Sequence, residues 1–244
     1  MIRLRFRYTK LGKIRFIGHR DLARVWERAL RRSELPVAST EGFSPRPKVH
    51  FGLALSTGFE SLGEYLDVDL TEDADEASIA SGPDMAAQVT PLLPEGMDVQ
   101  MVQHIDRGQS LQAAVAVCSW RIEVGGVSPT VLADRVGTLM SAEVVDMVRT
   151  RKERTTEQDI RPSLQLLEVD GPVERVTWDE GSLLFAELRT APPGLKVAEL
   201  LELIAPEAVE SRVCRTHQWI EGDGARQEPL SLATHPPYAG MRAS

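Results

Sequence analysis

Few cysteines and no long apolar runs characterise this 244-residue sequence. Its two cysteines are too few for a disulfide framework, or for a four-cysteine zinc or iron–sulfur site within the chain alone. No apolar run approaches the roughly 18 residues that a membrane-spanning helix needs. The first ten residues also lack the apolar block of a signal peptide. We therefore expect a cytoplasmic protein that does not interact with membranes.

Sequence motifs for several common activities are also missing. The chain contains neither of the glycine-rich phosphate loops, GxxxxGK[ST] and GxGxxG, and it has no GxSxG nucleophile elbow. Its five histidines are scattered. Cys214 and His217 are three residues apart, but on a strand that spacing turns them to opposite faces. We therefore expect no bound metal and no resident cofactor.

The charges that are present are unevenly distributed. The net charge is −8, yet residues 1–52 hold 13 Lys and Arg against 4 Asp and Glu, whereas the remainder holds 15 against 32. A basic block within an acidic protein predicts a surface for an anionic partner. The alternative is a solvated surface whose basic residues form weak salt bridges with the acidic part of the chain.

The hydrophobic pattern predicts an α+β fold. Residues 2–8 alternate apolar and polar side chains, as in a strand, and residues 22–30 place apolar side chains at helical spacing. An element order close to β-α-β-β-α-β occurs in both halves of the chain. We therefore predict two tandem ferredoxin-like (β-α-β-β-α-β) halves with antiparallel sheets, at residues 1–108 and 109–221, and a flexible tail at residues 222–244.

The basic residues of the first half define a candidate binding surface. Arg3, Arg5 and Arg7 should project about 7 Å apart from one exposed face of the first strand. Guanidinium groups suit phosphates, and the open face of a ferredoxin-like sheet is a common RNA platform. Alternatively, these arginines pair with Asp67 and Asp69 on another strand. The predicted RNA- or partner-binding residues are Arg3, Arg5, Arg7, His19, Arg20, Asp21, Arg24, Arg28, Arg46 and Lys48.

A second charged cluster lies at residues 149–162. It is either an exposed hairpin or loop, or part of a ligand or RNA site at the junction of the two halves. Aromatic residues that could stack on bases are few in this sequence, and Phe43 is one candidate. The predicted second shell of the site comprises Phe43, Glu64, Asp159 and Arg161.

Several sequence segments together suggest a family. They are RFIGHRDL (residues 15–22), RALRR (28–32), GFSPRPK (42–48), GEYLD (63–67) and, in the second half, QDIRP (158–162). In these segments the chain resembles the radical SAM-linked protein family, whose members are bacterial proteins encoded beside, or fused to, a radical S-adenosylmethionine protein. The resemblance covers roughly residues 1–220. It implies a role with a radical SAM partner in RNA modification or maturation.

The chain lacks the CxxxCxxC motif of a radical SAM enzyme, so the iron–sulfur chemistry would belong to that partner. We therefore predict a non-catalytic accessory protein that binds RNA. Two alternatives remain. One is a stand-alone RNA- or nucleoside-modifying enzyme with His19, Asp21, Glu64, Asp67 or Asp159 as acid–base groups. The other is a protein-docking module whose arginines contact an acidic partner.

Overall fold

The computed structural model describes residues 2–74, 82–105, 110–151, 154–175, 178, 180–209, 211–222 and 225–230. Within these residues the protein is mixed α/β, with one large, mostly antiparallel sheet and several helices. At this level the predicted α+β class is confirmed. Among the helices that the structure describes, none combines the length and the apolarity needed to cross a bilayer.

The first part of the chain forms strands and helices whose apolar faces meet. In β1 the residues Leu4, Phe6 and Tyr8 alternate with arginines and are buried. In α1 the buried residues include Leu22 and Trp26, which recur at helical spacing. The elements are β1 (Arg3–Lys10), a 3-10 helix (Gly12–Phe16), α1 (His19–Arg32), β2 (Val49–Phe51), β3 (Glu60–Asp69), α2 (Gly82–Val89), a 3-10 turn (Thr90–Leu92) and β4 (Val99–Ile105).

The second part of the chain repeats this alternation of strands and helices. Its longest helix begins at Pro129, directly after Ser128, whose hydroxyl accepts a hydrogen bond from the N–H of Val131 at 3.4 Å. The elements are α3 (Leu111–Ala114), β5 (Val115–Gly125), α4 (Pro129–Ser141), β6 (Asp146–Arg151), β7 (Arg154–Asp159), a 3-10 turn (Arg161–Ser163), β8 (Leu164–Pro172), β9 (Gly181–Arg189), α5 (Val197–Ile204), β10 (Ser211–Gly222) and β11 (Ala225–Gln227).

Strands from both parts join into one sheet. Its order is β4-β1-β3-β10-β5-β9-β8, with β2 beside β3 and β11 beside β10. The parts meet where β3 and β10 run parallel, in a register of two residue pairs, Glu60 with Cys214 and Ser61 with Arg215. The other pairings in this sheet are antiparallel. The separate hairpin β6–β7 contains most of the charged segment predicted as a hairpin or loop.

Each part of the sheet has its own apolar core. In the first part, Trp26 is fully buried and makes edge-to-face contacts with Phe6 and Tyr8, with ring centroids 5.8 and 4.9 Å apart. In the second part, residues of α4 and α5 such as Leu132 and Leu200 pack against strands β5, β8 and β9. The arginines of β1 lie on the face of the sheet opposite α1, where Tyr65, Leu111 of α3 and Leu230 form a small third apolar cluster.

Part of the segment predicted as a flexible tail packs against the sheet. β11 pairs with the end of β10, and Leu230 is buried beside Tyr65 and Leu111. Residues 231–244 of the predicted tail lie outside the described residues. The chain therefore returns, after β10, to the face of the first part that lies opposite α1, where α3 contributes Leu111.

Candidate functional site

The arginines of β1 face a row of acidic residues on β3. Arg5 donates from Nε and Nη2 to the two carboxylate oxygens of Asp67 at 2.7 and 2.9 Å. Arg3 donates from Nε to Oδ1 of Asp69 at 2.6 Å. The antiparallel register places each pair directly opposite. The expectation of a solvent-exposed arginine face is wrong for Arg5, which is only 9% exposed, and the alternative pairing with Asp67 and Asp69 is observed.

The carboxylate of Asp69 remains ionised in this environment. Burial alone would raise its pKa, but hydrogen bonds from Arg3 and His50 outweigh burial and lower the pKa below its usual value. A carboxylate that is ionised at neutral pH therefore neutralises Arg3 from within the sheet. An external phosphate would have to compete with it for the same guanidinium.

Arg7 differs from the other two arginines because a tyrosine, Tyr65, lies opposite it on β3. Its Nε donates to Gln100 at 2.9 Å, and its Nη1 donates to the Tyr65 hydroxyl at 3.2 Å. The carboxylate partner is Glu228, beyond β11, at 2.6 Å, and the carbonyl of Leu230 accepts a further bond at 3.1 Å. Arg7 is 4% exposed, so the expectation of exposure is wrong here too.

The segment GEYLD at residues 63–67 connects these contacts with the junction of the two parts. A Cβ at Gly63 would lie 3.1 Å from Nη2 of Arg7, so the absence of a side chain leaves space for the guanidinium. Glu64 points the other way and binds Arg215 of β10, whose Nη2 lies 2.7 Å from both carboxylate oxygens. Tyr65 contacts Arg7, and Asp67 binds Arg5. This segment thus supplies partners for three arginines.

The predicted basic residues of α1 lie on its outer, solvent-facing side. His19, Arg20, Asp21, Arg24 and Arg28 are all exposed. His19 also makes an edge contact with the ring of Phe51, at a centroid distance of 5.1 Å. Arg24 donates to Asp21 at 3.1 Å, which is an exposed pair one helical turn apart. The exposed side of α1 thus presents Arg20, Arg24 and Arg28 together with the acidic Asp21.

The loop that contains GFSPRPK lies next to this helix face. Arg31 of α1 donates to the carbonyl of Pro45 at 3.2 Å, and Arg46 lies 3.9 Å from the carboxylate of Glu27. Lys48 lies at the end of the loop, where its N–H bonds the carbonyl of Ala38. The ring of Phe43 is fully exposed. The structure therefore brings Pro45 and Arg46 to the α1 surface that contains the predicted arginines, and Phe43 lies two residues before Pro45 in the same loop.

Two shallow grooves run along α1. The first, of about 540 Å³, contains both acidic and basic residues, because Asp21 and Glu27 line it together with arginines. The second, of about 570 Å³, has three arginines and no carboxylate among its lining residues, so it is the more positive of the two. The residues of the second groove are Arg28, Arg31, Arg32, Pro91, Leu92 and Leu93, with Val25 and Pro94.

Asp159 and Arg161 are both bonded to the protein backbone. Oδ1 of Asp159 accepts hydrogen bonds from the N–H groups of Val145 and Arg161, both at 2.9 Å. Arg161 donates to the carbonyls of Met140, Ala142 and Leu164 at 3.0 to 3.1 Å. Two of these carbonyls lie at the C-terminal end of α4, where a positive charge is favourable. The QDIRP segment therefore anchors the β6–β7 hairpin to α4.

Sequence reasoning missed several residues of the basic surface. The guanidinium of Arg15 lies 4.6 Å from the ring centre of Phe16, which is 61% exposed. Arg31 and Arg32 also line the second groove, although they are not among the predicted binding residues. Their apolar neighbours at residues 91–94 have no charge and no motif, and only the packing of α2 and the following turn against the sheet brings them to α1. The sequence offered one signal for this part of the surface, because the aromatic residue Phe16 directly follows Arg15.

The cysteines and acidic residues within the described part of the chain form no preorganised metal centre. Among the described residues, no group of three or more His, Cys, Asp or Glu side chains could hold a metal ion. Burial raises the pKa of Cys118 to about 11 and that of Cys214 to about 12. Both thiols therefore stay protonated and unreactive at neutral pH.

Comparison with known proteins identifies the class to which this chain belongs. A family described as an uncharacterised protein conserved in bacteria, DUF2344, matches residues 3–202. The match covers most of the chain, and the protein is a member of this family. No protein in a search of curated sequences matches it. The matched range includes β1, α1, the GFSPRPK loop, the GEYLD segment and the QDIRP segment.

Proposed function

We propose that the protein is a cytoplasmic, non-catalytic accessory protein that binds single-stranded RNA along the basic face of α1 for a radical SAM partner. One observation carries the RNA part of this proposal. Exposed arginines on α1 line a groove that has no carboxylate among its lining residues, and the loop whose Pro45 accepts a hydrogen bond from Arg31 also holds the exposed ring of Phe43. Basic grooves combined with stacking platforms are the usual means of binding single strands. The radical SAM partner rests on the family resemblance alone.

The strand order supports a finer description of the fold. We propose that each part of the sheet is a ferredoxin-like unit. The order β4-β1-β3-β2 in the first part and the order β10-β5-β9-β8 in the second both correspond to 4-1-3-2 when the four strands of each unit are numbered along the chain. Such units commonly serve as RNA platforms through the open face of the sheet. Here the buried ion pairs of β1 make the helix side the favoured surface.

A charge-reversal pair tests the α1 surface. Arg28→Glu combined with Arg32→Glu should weaken binding of a fluorescent single-stranded RNA, and should reduce the salt slope by about 1.4 if both residues contact phosphate. The matched control is Arg135→Glu with Arg189→Glu, which changes the net charge equally on the second part of the chain. Circular dichroism establishes that all variants are folded. Equal loss of affinity in both double variants would indicate nonspecific charge and contradict the proposed surface.

The exposed ring of Phe43 provides a second, independent test. If it stacks on a base, Phe43→Ala should cost about 1–3 kcal/mol of binding free energy, whereas Phe43→Tyr should retain most of the affinity. Fluorescence anisotropy at a single salt concentration measures both. No loss for Phe43→Ala would remove the stacking contact from the proposal.

The partner is tested by purification from cells with and without nuclease. A radical SAM protein that copurifies only without nuclease would mean that RNA bridges the two proteins, whereas one that also remains after nuclease would support direct binding. Capture of an acidic protein with no RNA retained would support the docking-module alternative. The isolated chain should not turn over RNA or S-adenosylmethionine, and turnover would support the enzyme alternative.

A further inference from the structure

The arginine row of β1 lies on the sheet face opposite α1, and one of its members is an exception. Arg3 and Arg5 each find a carboxylate on the neighbouring strand, whereas the residue opposite Arg7 is Tyr65. The anion for Arg7 comes from Glu228, which lies 221 positions away in the chain. Arg7 is thus a buried cation whose charged partner belongs to a separate segment, and a buried guanidinium without an anion is costly.

Fixed residues of the sheet already orient Arg7. Gln100 on β4 accepts from its Nε, and the Tyr65 hydroxyl accepts from its Nη1 while donating to Glu228 at 3.3 Å. Burial raises the pKa of Tyr65, so the phenol keeps its proton and can donate to an anion. Gly63 leaves space for the guanidinium. Together these residues hold the guanidinium of Arg7 and the hydroxyl of Tyr65 so that both bind the carboxylate of Glu228.

The bound segment shows what this site recognises. Glu228 contributes its carboxylate, the backbone carbonyl of Leu230 accepts from Nη1 of Arg7, and the Leu230 side chain is buried beside Tyr65 and Leu111. The three residues of β11 just before Glu228 are all exposed. Recognition therefore involves a carboxylate, a carbonyl and an apolar side chain in the order Glu-Pro-Leu. The family match includes Arg7, Tyr65 and Gln100 but ends before Glu228.

We propose that Arg7, Tyr65, Gln100 and the apolar pocket at Leu111 form a peptide-binding site for an acidic residue followed two positions later by a leucine, supplied by a partner protein. In this structure the chain's own Glu228–Leu230 segment occupies the site as a competing strap. The site lies on the sheet face opposite α1, so it is separate from the proposed RNA surface. The peptide-binding test can therefore fail while RNA binding is retained, and RNA binding can fail while the peptide still binds.

The test uses the full chain and a fluorescent peptide, Ala-Arg-Gln-Glu-Pro-Leu, which copies residues 225–230. The wild-type chain should bind it weakly, because the strap competes. The double variant Glu228→Gln with Leu230→Ala should bind it at least about tenfold more tightly, because both strap contacts are weakened. A control peptide with Gln in place of Glu should lose most of this affinity. Equal binding of the two peptides would overturn the proposal.

Two further measurements test the site, one on a Tyr65 variant and one on the wild-type chain. Adding Tyr65→Phe to the strap variant should weaken the peptide roughly three- to tenfold, through loss of one hydrogen bond. In the wild-type chain, saturating peptide should displace the strap and so speed amide hydrogen exchange at residues 225–230. Unchanged exchange rates would contradict the proposal. Displacement of the peptide by inorganic phosphate or by single-stranded RNA at micromolar concentration would instead identify a general anion site and overturn the peptide assignment.

Discussion

The ion pair between Arg215 and Glu64 lies where the two parts of the sheet meet, and we expect it to contribute strongly to the free energy of unfolding. Its side chains are only 2% and 6% exposed, and Nη2 of Arg215 also donates to the carbonyl of Leu53 at 2.9 Å. Replacing Arg215 by Met leaves Glu64 buried without its main partner. Breaking a buried pair in this way costs about 3–5 kcal/mol. We expect a loss within this range from urea denaturation followed by circular dichroism.

The reciprocal substitution should cost more, because Glu64 faces a second buried cation. Lys10 is 1% exposed; burial lowers its pKa, and the charge of Glu64 acts in the opposite direction. Glu64→Gln therefore removes the carboxylate that binds Arg215, and with it the charge that favours protonated Lys10, whose Nζ keeps its bonds to the carbonyls of Arg15 and Ile17. The loss should lie at the upper end of the range of about 3–5 kcal/mol. A smaller loss for Glu64→Gln than for Arg215→Met would mean that Lys10 does not depend on this charge.

A double-mutant cycle separates the pair from its surroundings. Arg215→Met combined with Glu64→Gln removes both charges, and its loss should fall short of the sum of the two single losses by about 2–3 kcal/mol. The matched control is Arg24→Met, which breaks an exposed pair with Asp21 and should change stability little. Additive losses, or a single loss below about 1 kcal/mol, would refute the reasoning that this pair is buried and coupled.

Four further predictions concern other parts of the chain. Cys118 and Cys214 should resist alkylation at about pH 8 until urea unfolds the chain, because burial raises both pKa values; rapid labelling of the native protein would contradict this. Arg161→Ala should cost about 1–3 kcal/mol in urea denaturation by freeing the carbonyls that it binds, and unchanged stability would contradict that anchoring role. Burial alone would raise the pKa of Glu60, but hydrogen bonds from Arg212 and from the N–H of Gly12, together with the nearby positive charges, lower it. The contribution of Glu60 to folding stability is therefore present above the ordinary carboxyl pKa and is lost as the pH falls through the lowered pKa. Glu60→Gln should accordingly flatten the acid side of the curve of stability against pH. Elemental analysis of the purified chain should find no stoichiometric zinc or iron, and one metal per chain that survives dialysis would overturn that expectation.

The pairing of β1 with β3 was partly predictable from sequence. Arg3 and Arg5 are two residues apart, and so are Asp67 and Asp69, which matches the side-chain period of a strand. Both rows lie on the polar faces of alternating strands, so mutual pairing and solvent exposure were the two options. Strand adjacency decides between them, and adjacency is a property of the whole sheet rather than of either segment.

The roles of Arg7 and Arg161 could not be derived from local patterns. The carboxylate that binds Arg7 lies in a polar segment without periodicity, and no spacing rule connects positions so distant. Arg161 binds backbone carbonyls at the end of α4, and a carbonyl has no signature in the sequence. The exposed arginines of α1 were predictable because helical spacing alone separates the outer face from the buried one.

The burial of Trp26 in the first core has a practical consequence for spectroscopy. The other three tryptophans, Trp120, Trp178 and Trp219, lie in the second part of the chain. Indole emission moves to longer wavelength when a ring passes from an apolar core into water. A variant with phenylalanine at those three positions would therefore emit from the first core alone, and the converse variant, Trp26→Phe, from the second part. Fluorescence would then record the melting of each core separately within one intact molecule.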